Sequence, residues 1–391
     1  MLFMSHQSQL LSKLTSYLDE HSIGNSFLPV SRSEPSLSTA DKEFLVNLLM
    51  LQPTHYDIGL EMARANAFFV LGRHQNSEHI YEKILNKNPY HISARYNLGM
   101  THIKSEKLQE AITELNKAIQ QSPRFAEGYY QRGNAYDETG NSLNAIDDYT
   151  QAISINPNFV QAIYNRGVVH AKIDLHDSAI SDFNKVIRLR PTISNAYLNR
   201  GASLDEIGDH QAALDDYTMA IDYNSTNVNA FFNRAKTLFL LGEFHDSISD
   251  YTYVINSLPS DVEALNNRGL AFDSIGDYNQ AISDYEAALR LNPAYAETLN
   301  NLGAVYEALN NVESAISHYY SAIKNNPNYA SACYNLARLH AKSDSLSLSL
   351  EYLNRSISLD PQLEEEALSD EYLSQVLQWD MMRRLQQAKY Q

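Results

Sequence analysis

A chain of 391 residues with 30 basic against 47 acidic side chains carries a net charge of −17, an excess that repels nucleic-acid phosphates and anionic lipid alike. One cysteine, Cys333, leaves no partner for an intramolecular disulfide and rules out a cysteine-based zinc site. No run approaches the roughly 18 consecutive apolar residues of a membrane span. The opening MLFMSHQSQLL lacks the basic region and apolar core of a secretory signal, so no membrane insertion and a cytoplasmic location are expected.

Residues 1–57 come first in chain order. An amphipathic stretch around Leu10, Leu11, Leu14, Tyr17 and Leu18 precedes a serine- and proline-bearing linker near 22–38. Ser38 with Asp41 makes a capping box for a helix running to Leu51. The ending LLMLQP imitates the close of the units that follow, yet Pro53 stands 36 residues before Pro89. The segment therefore reads either as a degenerate half-repeat or as a plain helical flank.

From Ile58 to Pro361 the chain repeats. Prolines at 89, 123, 157, 191, 259, 293, 327 and 361 are spaced by multiples of 34 residues, and Ser225 fills the one place where proline is missing. Nine units result: 58–91, 92–125, 126–159, 160–193, 194–227, 228–261, 262–295, 296–329 and 330–361. Such a period predicts a solenoid. The eighth and twentieth positions of each unit are small, as at Gly133 and Ala145, while the twenty-fourth is large, as at Tyr149. Two helices that meet at small residues, with a bulky side chain filling the space beside them, make a helical hairpin. Glycine at the fifteenth position of five units supplies a left-handed helix end, and the proline at the thirty-second stops the second helix.

Residues 362–391 read as one more helix that caps the array, with Leu368, Tyr372, Leu373, Val376 and Leu377 on its buried side. Gln378, Asp380, Arg383 and Arg384 are expected outside.

The third unit carries Tyr129, Arg132, Gly133, Tyr136, Ala145, Tyr149, Ala152 and Pro157, and with these residues the chain resembles the tetratricopeptide repeat family. The resemblance covers residues 58–361. It implies an all-α architecture, an α-α superhelix of about nine 34-residue hairpins with capping helices, whose concave groove binds other proteins.

Catalysis finds little room, because the 57 and 30 residues outside the repeats are too few for an ordinary catalytic domain. There is no phosphate-cradling glycine loop, no nucleophile elbow and no helix with metal-spaced histidines. His102, His170 and His340 share the eleventh position, which is aromatic in sister units (Phe68, Tyr136, Phe272, Tyr306), and so read as core substitutions. No enzyme activity, cofactor or metal is expected.

Two patterns go beyond the generic unit. Arginine at the seventh position accompanies aspartate at the twenty-third in five units: Arg132 with Asp148, Arg166 with Asp182, Arg200 with Asp216, Arg234 with Asp250 and Arg268 with Asp284. Where Leu98, Leu302 and Leu336 replace the arginine, the aspartate also disappears, giving way to Glu114, His318 and Tyr352, while the first unit breaks the rule with Arg64 and Ile80. Leucine as the alternative implies a partly buried site, where a guanidinium needs a set acceptor, so an ion pair between the two helices is expected.

The second pattern is a run of amides at the sixth position: Asn97, Gln131, Asn165, Asn199, Asn233, Asn267, Asn301 and Asn335. In the family this position lines the groove. The row is similar to the asparagine ladder in the superhelix of O-linked N-acetylglucosamine transferase, whose catalytic region this chain lacks, and to the amide rows of importin-alpha. A side-chain amide offers both a donor and an acceptor to a peptide backbone. The alternative is that these asparagines bond within their own helix. Tyr96, Tyr130, Tyr164, Phe232 and Tyr334 at the fifth position add aromatic surface.

Acidic groove positions such as Asp137, Glu263, Asp273, Glu297 and Glu307 outnumber Lys104, Lys172, Lys236, Arg338 and Lys342, so a basic or neutral extended protein segment is the expected partner. A carboxylate clamp is disfavoured, because Tyr130 and Asn195 stand where the family's clamp needs lysine. The expected function is a non-enzymatic interaction scaffold that holds an extended polypeptide in its groove. A regulatory or targeting subunit of a separate modifying enzyme, or a holding chaperone, are the alternatives.

Overall fold

The computed structural model describes residues 56–388 together with Val46 and Leu49, with side chains up to 384. Most of the segment expected as an N-terminal helical flank lies outside the described residues. Leu49 is buried in one cluster with Phe69 and Val70. The chain divides into two compact units, residues 1–207 and 208–391.

The first unit holds α1 (Ile58–Val70), α2 (His74–Lys87), α3 (Ile92–Lys104), α4 (Leu108–Gln121), α5 (Ala126–Glu138), α6 (Ser142–Ile155), α7 (Val160–Lys172), α8 (His176–Leu189) and α9 (Ser194–Glu206). The second holds α10 (His210–Tyr223), α11 (Val228–Leu240), α12 (Phe244–Ser257), α13 (Val262–Ser274), α14 (Tyr278–Leu291), α15 (Ala296–Ala308), α16 (Val312–Asn325), α17 (Ala330–Lys342) and α18 (Leu346–Leu359), closed by α19 (Leu363–Ser369) and α20 (Leu373–Ala388). The described residues are all-α. Odd-numbered helices from α1 to α17 open a repeat and even-numbered ones close it, and within each unit consecutive helices pack against one another as in hairpins of the tetratricopeptide type.

Each hairpin turns on its fifteenth position, where the backbone is left-handed in all nine repeats. Glycine holds that conformation in five of them, as at Gly140 with φ +77°, while Glu106, Asp174, Asn310 and Asp344 hold it with φ between +55° and +61°. The turn satisfies the helix end it closes: Asn141 N donates to Tyr136 O at 2.8 Å, and Gly140 N to Asp137 O at 2.9 Å.

Close approach at the eighth position holds the two helices together. A Cβ added to Gly133 would lie 2.8 Å from the Tyr149 ring, and one added to Gly303 would lie 2.7 Å from Tyr319. Both rings are fully buried. Where alanine takes the eighth position, serine takes the twentieth. Ser77 and Ser247 then donate across the hairpin to the carbonyls of Ala65 and Ala235, at 2.9 Å and 2.8 Å.

The C-terminal segment differs from the single helix expected of it. Asp370 breaks it in two and caps α20, accepting from Tyr372 N and Leu373 N, both at 2.9 Å. Ala367, Leu373 and Val376 pack with Ala337, Ala341, Leu350 and Leu353. Leu368 is exposed, because it falls in the short α19 and not on the buried face of a continuous helix. Asp380 is buried instead of solvated, at 6 % exposure, and accepts from Arg383 and Arg384 at 2.7 Å each.

Candidate functional site

The arginine and aspartate of one repeat meet face on. Arg132 donates through Nε and Nη2 to the two oxygens of Asp148, both at 2.7 Å. Arg166 does the same to Asp182 at 2.9 and 2.6 Å, Arg234 to Asp250 at 2.7 and 2.9 Å, and Arg268 to Asp284 at 2.7 Å twice. Asp148, Asp182, Asp250 and Asp284 are buried. The bonds to Asp148 and Asp250 hold the Arg132 and Arg234 guanidiniums even more firmly protonated than usual. Burial alone would raise the Asp182 carboxyl, but bonds from His170 and Arg166 outweigh it and hold the group below the usual carboxylate range.

A third partner escaped the sequence reading. The remaining nitrogen, Nη1, reaches the closing helix of the preceding repeat: Arg132 donates to Asn116 at 2.8 Å, Arg166 to Thr150 at 2.9 Å, Arg234 to Thr218 at 3.2 Å and Arg268 to Thr252 at 3.0 Å. Arg200 makes the same bond to Asn184, while Asp216 falls in the other unit. The signal was present in the sequence, since a threonine or asparagine stands 16 residues before each of these arginines, whereas Glu82, Glu286 and Tyr320 precede Leu98, Leu302 and Leu336. In the second repeat the charge pair is rebuilt from another helical position, with Arg95 donating to Glu114 at 2.6 Å.

Within each unit, several sixth-position amides reach back to the preceding repeat. Asn165 donates to Asn134 at 2.8 Å and to the Tyr130 hydroxyl at 3.2 Å. Asn199 donates to the Tyr164 hydroxyl at 2.8 Å, Asn301 to Asn266 at 3.2 Å and Asn335 to Asn300 at 3.0 Å. These bonds span 31 or 35 residues and tie successive opening helices together, which differs from bonding within one helix. Asn233 and Asn267 are half-buried on the same row, and Asn267 accepts from Asn266 at 3.3 Å.

Four residues expected to line an open groove are instead enclosed. Tyr96 and Asn97 have no exposed surface, and Tyr130 and Gln131 retain 4 %. The cause is the last residue of each unit. Phe125 packs edge-on against Tyr96 at 5.1 Å, and Phe159 packs tilted against Tyr130 at 5.0 Å, so each ring is covered. Smaller or polar Ile193 and Asp261 occupy that register opposite Tyr164 and Phe232. Those two rings are half-buried, as is Tyr334. Asn97 meanwhile spends its amide on Asn66 at 3.0 Å.

The basic residues of this face are largely taken. Lys172 pairs with Asp137 at 3.0 Å, and Lys342 and Arg338 pair with Glu307 at 2.6 and 3.4 Å. Burial would raise Glu307, but these cations and the Tyr319 hydroxyl hold its carboxyl below the ordinary value. Asp273 has the opposite setting. Half-buried, with no cation beside it among the described residues, it is pushed up by desolvation alone. Glu297 is oriented by Asn266 Nδ2 at 3.2 Å and Tyr295 Oη at 3.3 Å.

The eleventh-position histidines differ among themselves. His170 lies 3.1 Å from Asp182, whereas His102 and His340 are buried, and burial holds both imidazoles below their ordinary value. Cys333 is fully buried, which raises its thiol. Among the described residues no helix is long and apolar enough to cross a membrane.

Tetratricopeptide repeat models match residues 126–159, 160–193, 266–330 and 330–363, and a TPR repeat model matches 101–140. No curated protein sequence matches the chain. Among solved structures, the C-terminal part of a TPR repeat-containing protein from Cytophaga hutchinsonii is 17% identical, with a TM-score of 0.53 over 62% of this chain and 99% of that one. MamA is 25% identical, with a TM-score of 0.41 over 44% of this chain and 96% of that one. YrrB, described as a TPR protein with an unusual peptide-binding site, is 22% identical, with a TM-score of 0.44 over 50% of this chain and 97% of that one. With a 34-residue hairpin recurring through both units and repeat models matching in both, the chain is a tetratricopeptide repeat protein.

Proposed function

We propose that this protein is a non-catalytic interaction scaffold, and that the face formed by its opening helices holds an extended polypeptide. One observation carries the reading. Asn165, Asn199 and Asn335 each commit the amide nitrogen to the preceding repeat, and among the described residues no donor reaches the carbonyl oxygen. A row of half-exposed acceptors held in place is suited to the N–H groups of an extended backbone, whose spacing it meets without reading side chains. Preorganisation by the inter-repeat bonds lowers the entropy lost on binding. The tetratricopeptide fold supports the interaction role. The carboxylates Asp273 and Glu297, which face no cation within ion-pair distance among the described residues, favour with the net charge a basic or neutral segment over nucleic acid. A reducing, cytoplasmic setting fits the single buried cysteine.

The test is affinity capture from the native host followed by mass spectrometry, with the wild type and with Asn165, Asn199 and Asn335 all changed to alanine. Each lost amide contributes roughly 0.5–1.5 kcal/mol if bonded to the partner, so capture should weaken about tenfold or more. Undiminished capture by a folded triple variant refutes the amide row. A single stoichiometric enzyme among the captured proteins would mark a targeting subunit, and many unfolded clients a holding chaperone.

A further inference from the structure

Within the second unit, two successive opening-helix pairs build the same constellation, one completely and one with a part missing. In the complete version Glu307, at the twelfth position of α15, accepts from the Tyr319 hydroxyl at 3.0 Å and from Lys342 Nζ at 2.6 Å, with Arg338 at 3.4 Å. The phenol comes from the closing helix of the same repeat, 12 residues on. The cations come from the next opening helix, 31 and 35 residues on.

One repeat earlier the same register holds Asp273, Tyr285, Ala304 and Ala308. The carboxylate and the phenol are present. Both cations are replaced by alanine, of which Ala304 is half-buried and Ala308 exposed. Asp273 carries no ion pair among the described residues, and its carboxyl is pushed up by desolvation with nothing to offset it.

Tyr285 supplies a second and independent observation. Its ring is fully buried, and among the described residues its hydroxyl has no hydrogen-bond partner. The sister hydroxyls of Tyr149 and Tyr319 donate to Asn134 at 2.8 Å and to Glu307 at 3.0 Å. Opposite Tyr285 the ninth position is Leu270, which accepts nothing, and the twelfth is an aspartate, one methylene shorter than the glutamate that Tyr319 reaches. A buried hydroxyl without a partner is costly, and this one belongs to the register that is aimed at the twelfth-position carboxylate.

We propose that this incomplete constellation is a seat for the side chain of a lysine in a bound polypeptide, whose ammonium takes the place that Lys342 takes beside Glu307. The ammonium has three donors. One meets Asp273, whose negative charge also acts on the Tyr285 phenol from the inner side of the hairpin, and the other two remain in water. Two alanines in the place of Arg338 and Lys342 leave room for a side chain that enters from outside. The inference rests on the reading that this face binds an extended segment, and it adds one selective position to a row of amides that reads none.

The test uses calorimetric titration of the full chain with three nine-residue peptides, acetylated and amidated, identical in an alanine and serine background except for a central lysine, norleucine or glutamate. The lysine peptide should bind roughly tenfold tighter than the norleucine peptide, the size expected for one charge-assisted contact, and the glutamate peptide more weakly than either. Asp273→Asn should remove the lysine preference. Ala308→Lys, which supplies the missing cation from within, should remove it too and should raise the melting temperature of the free protein. Equal binding of lysine and norleucine peptides, both weakened by Asn301→Ala with Asn335→Ala, would overturn the seat and leave the amide face standing. A lysine preference that survives Asp273→Asn overturns the seat as well. Failure of every peptide to bind overturns both readings.

Discussion

Repeats six and seven hold their two helices with a buried ion pair, and repeats eight and nine hold theirs with leucine. In the first kind, Arg234 and Arg268 each bridge three helices, reaching Asp250 or Asp284 within the hairpin and Thr218 or Thr252 on the helix before it. In the second kind, Leu302 and Leu336 are buried in the same register, at 2 % and 0 % exposure. The aspartate's place is taken by His318, stacked on Tyr306 at 5.3 Å, and by Tyr352, stacked on His340 at 6.0 Å. The hairpin backbone tolerates either chemistry because both fill one slot. A mixture occurs only where another residue supplies the missing partner, as Glu61 does at 3.3 Å for Arg64 in the first repeat, where Ile80 holds the aspartate's place, and as Arg95 does for Glu114 in the second; a guanidinium without a carboxylate, or the reverse, would strand a charge in a partly buried site.

The sharpest way to break that comparison is to make the mixture. Asp250→Ala should destabilise the protein by about 2–4 kcal/mol, since Arg234 is left facing an apolar surface. Arg234→Leu combined with Asp250→Ala should recover most of the loss, because it leaves neither charge without its partner. Urea melts of the two single variants and the double variant decide. Additive losses would show that the pair is not a unit.

A smaller effect is expected at the close approach that both kinds share. Gly303→Ala places a methyl group 2.7 Å from the Tyr319 ring, a crowding cost of about 1–3 kcal/mol, which the better helix propensity of alanine offsets by about 1 kcal/mol. The net should be a loss near 1 kcal/mol. Ala235 faces Tyr251 in the sixth repeat with Ser247 bonded to its carbonyl. Adding Ala315→Ser to Gly303→Ala should therefore regain part of the loss, and thermal melts that show no recovery would separate the two substitutions.

At the hairpin turns, Asp174 holds φ at +61° in a register where Gly140 holds +77°. A side chain in that region costs roughly 1–2 kcal/mol, less for aspartate than for most residues. Asp174→Gly should stabilise the first unit by somewhat under 1 kcal/mol, a gain readable as a rise in melting temperature.

The smallest effect concerns pH. Burial holds the His318 imidazole below its ordinary value, with only Glu286 acting in the other direction. The unfolded chain takes up the proton near pH 6.5 and the folded chain only at lower pH. Above about pH 6.5 His318 therefore adds no pH dependence to stability. As the pH falls from there toward its depressed folded value, stability is progressively lost. His318→Phe should remove that part of the acid sensitivity, leaving the arginine-locked repeats unaffected. An unchanged pH profile would place the sensitivity at His102 or His340 instead.

The hairpins themselves were legible because their determinants are local: a small residue facing a ring, a left-handed turn and a proline recur at a spacing that no other architecture needs. The Arg–Asp lock was legible for a related reason, since a charge that needs its partner within one hairpin leaves a covariation 16 residues apart. Its third member was equally visible at Asn116, Thr150, Thr218 and Thr252, though it answers to the neighbouring repeat. What the amino-acid sequence could not decide was the fate of the amides. Whether Asn165 looks outward or toward Asn134 depends on how closely one hairpin stacks on the next, and that distance follows from the sum of many side-chain volumes. The same stacking encloses Tyr96 beneath Phe125 and leaves Tyr164 half open beside Ile193. The break at Asp370 and the burial of Asp380 likewise depend on where the last hairpin ends and what it leaves uncovered. Sequence alone determined the repeating unit, because its contacts lie within 34 residues. The tertiary structure alone decided which of its polar groups remain available to a partner, because packing between repeats sets what water can still reach.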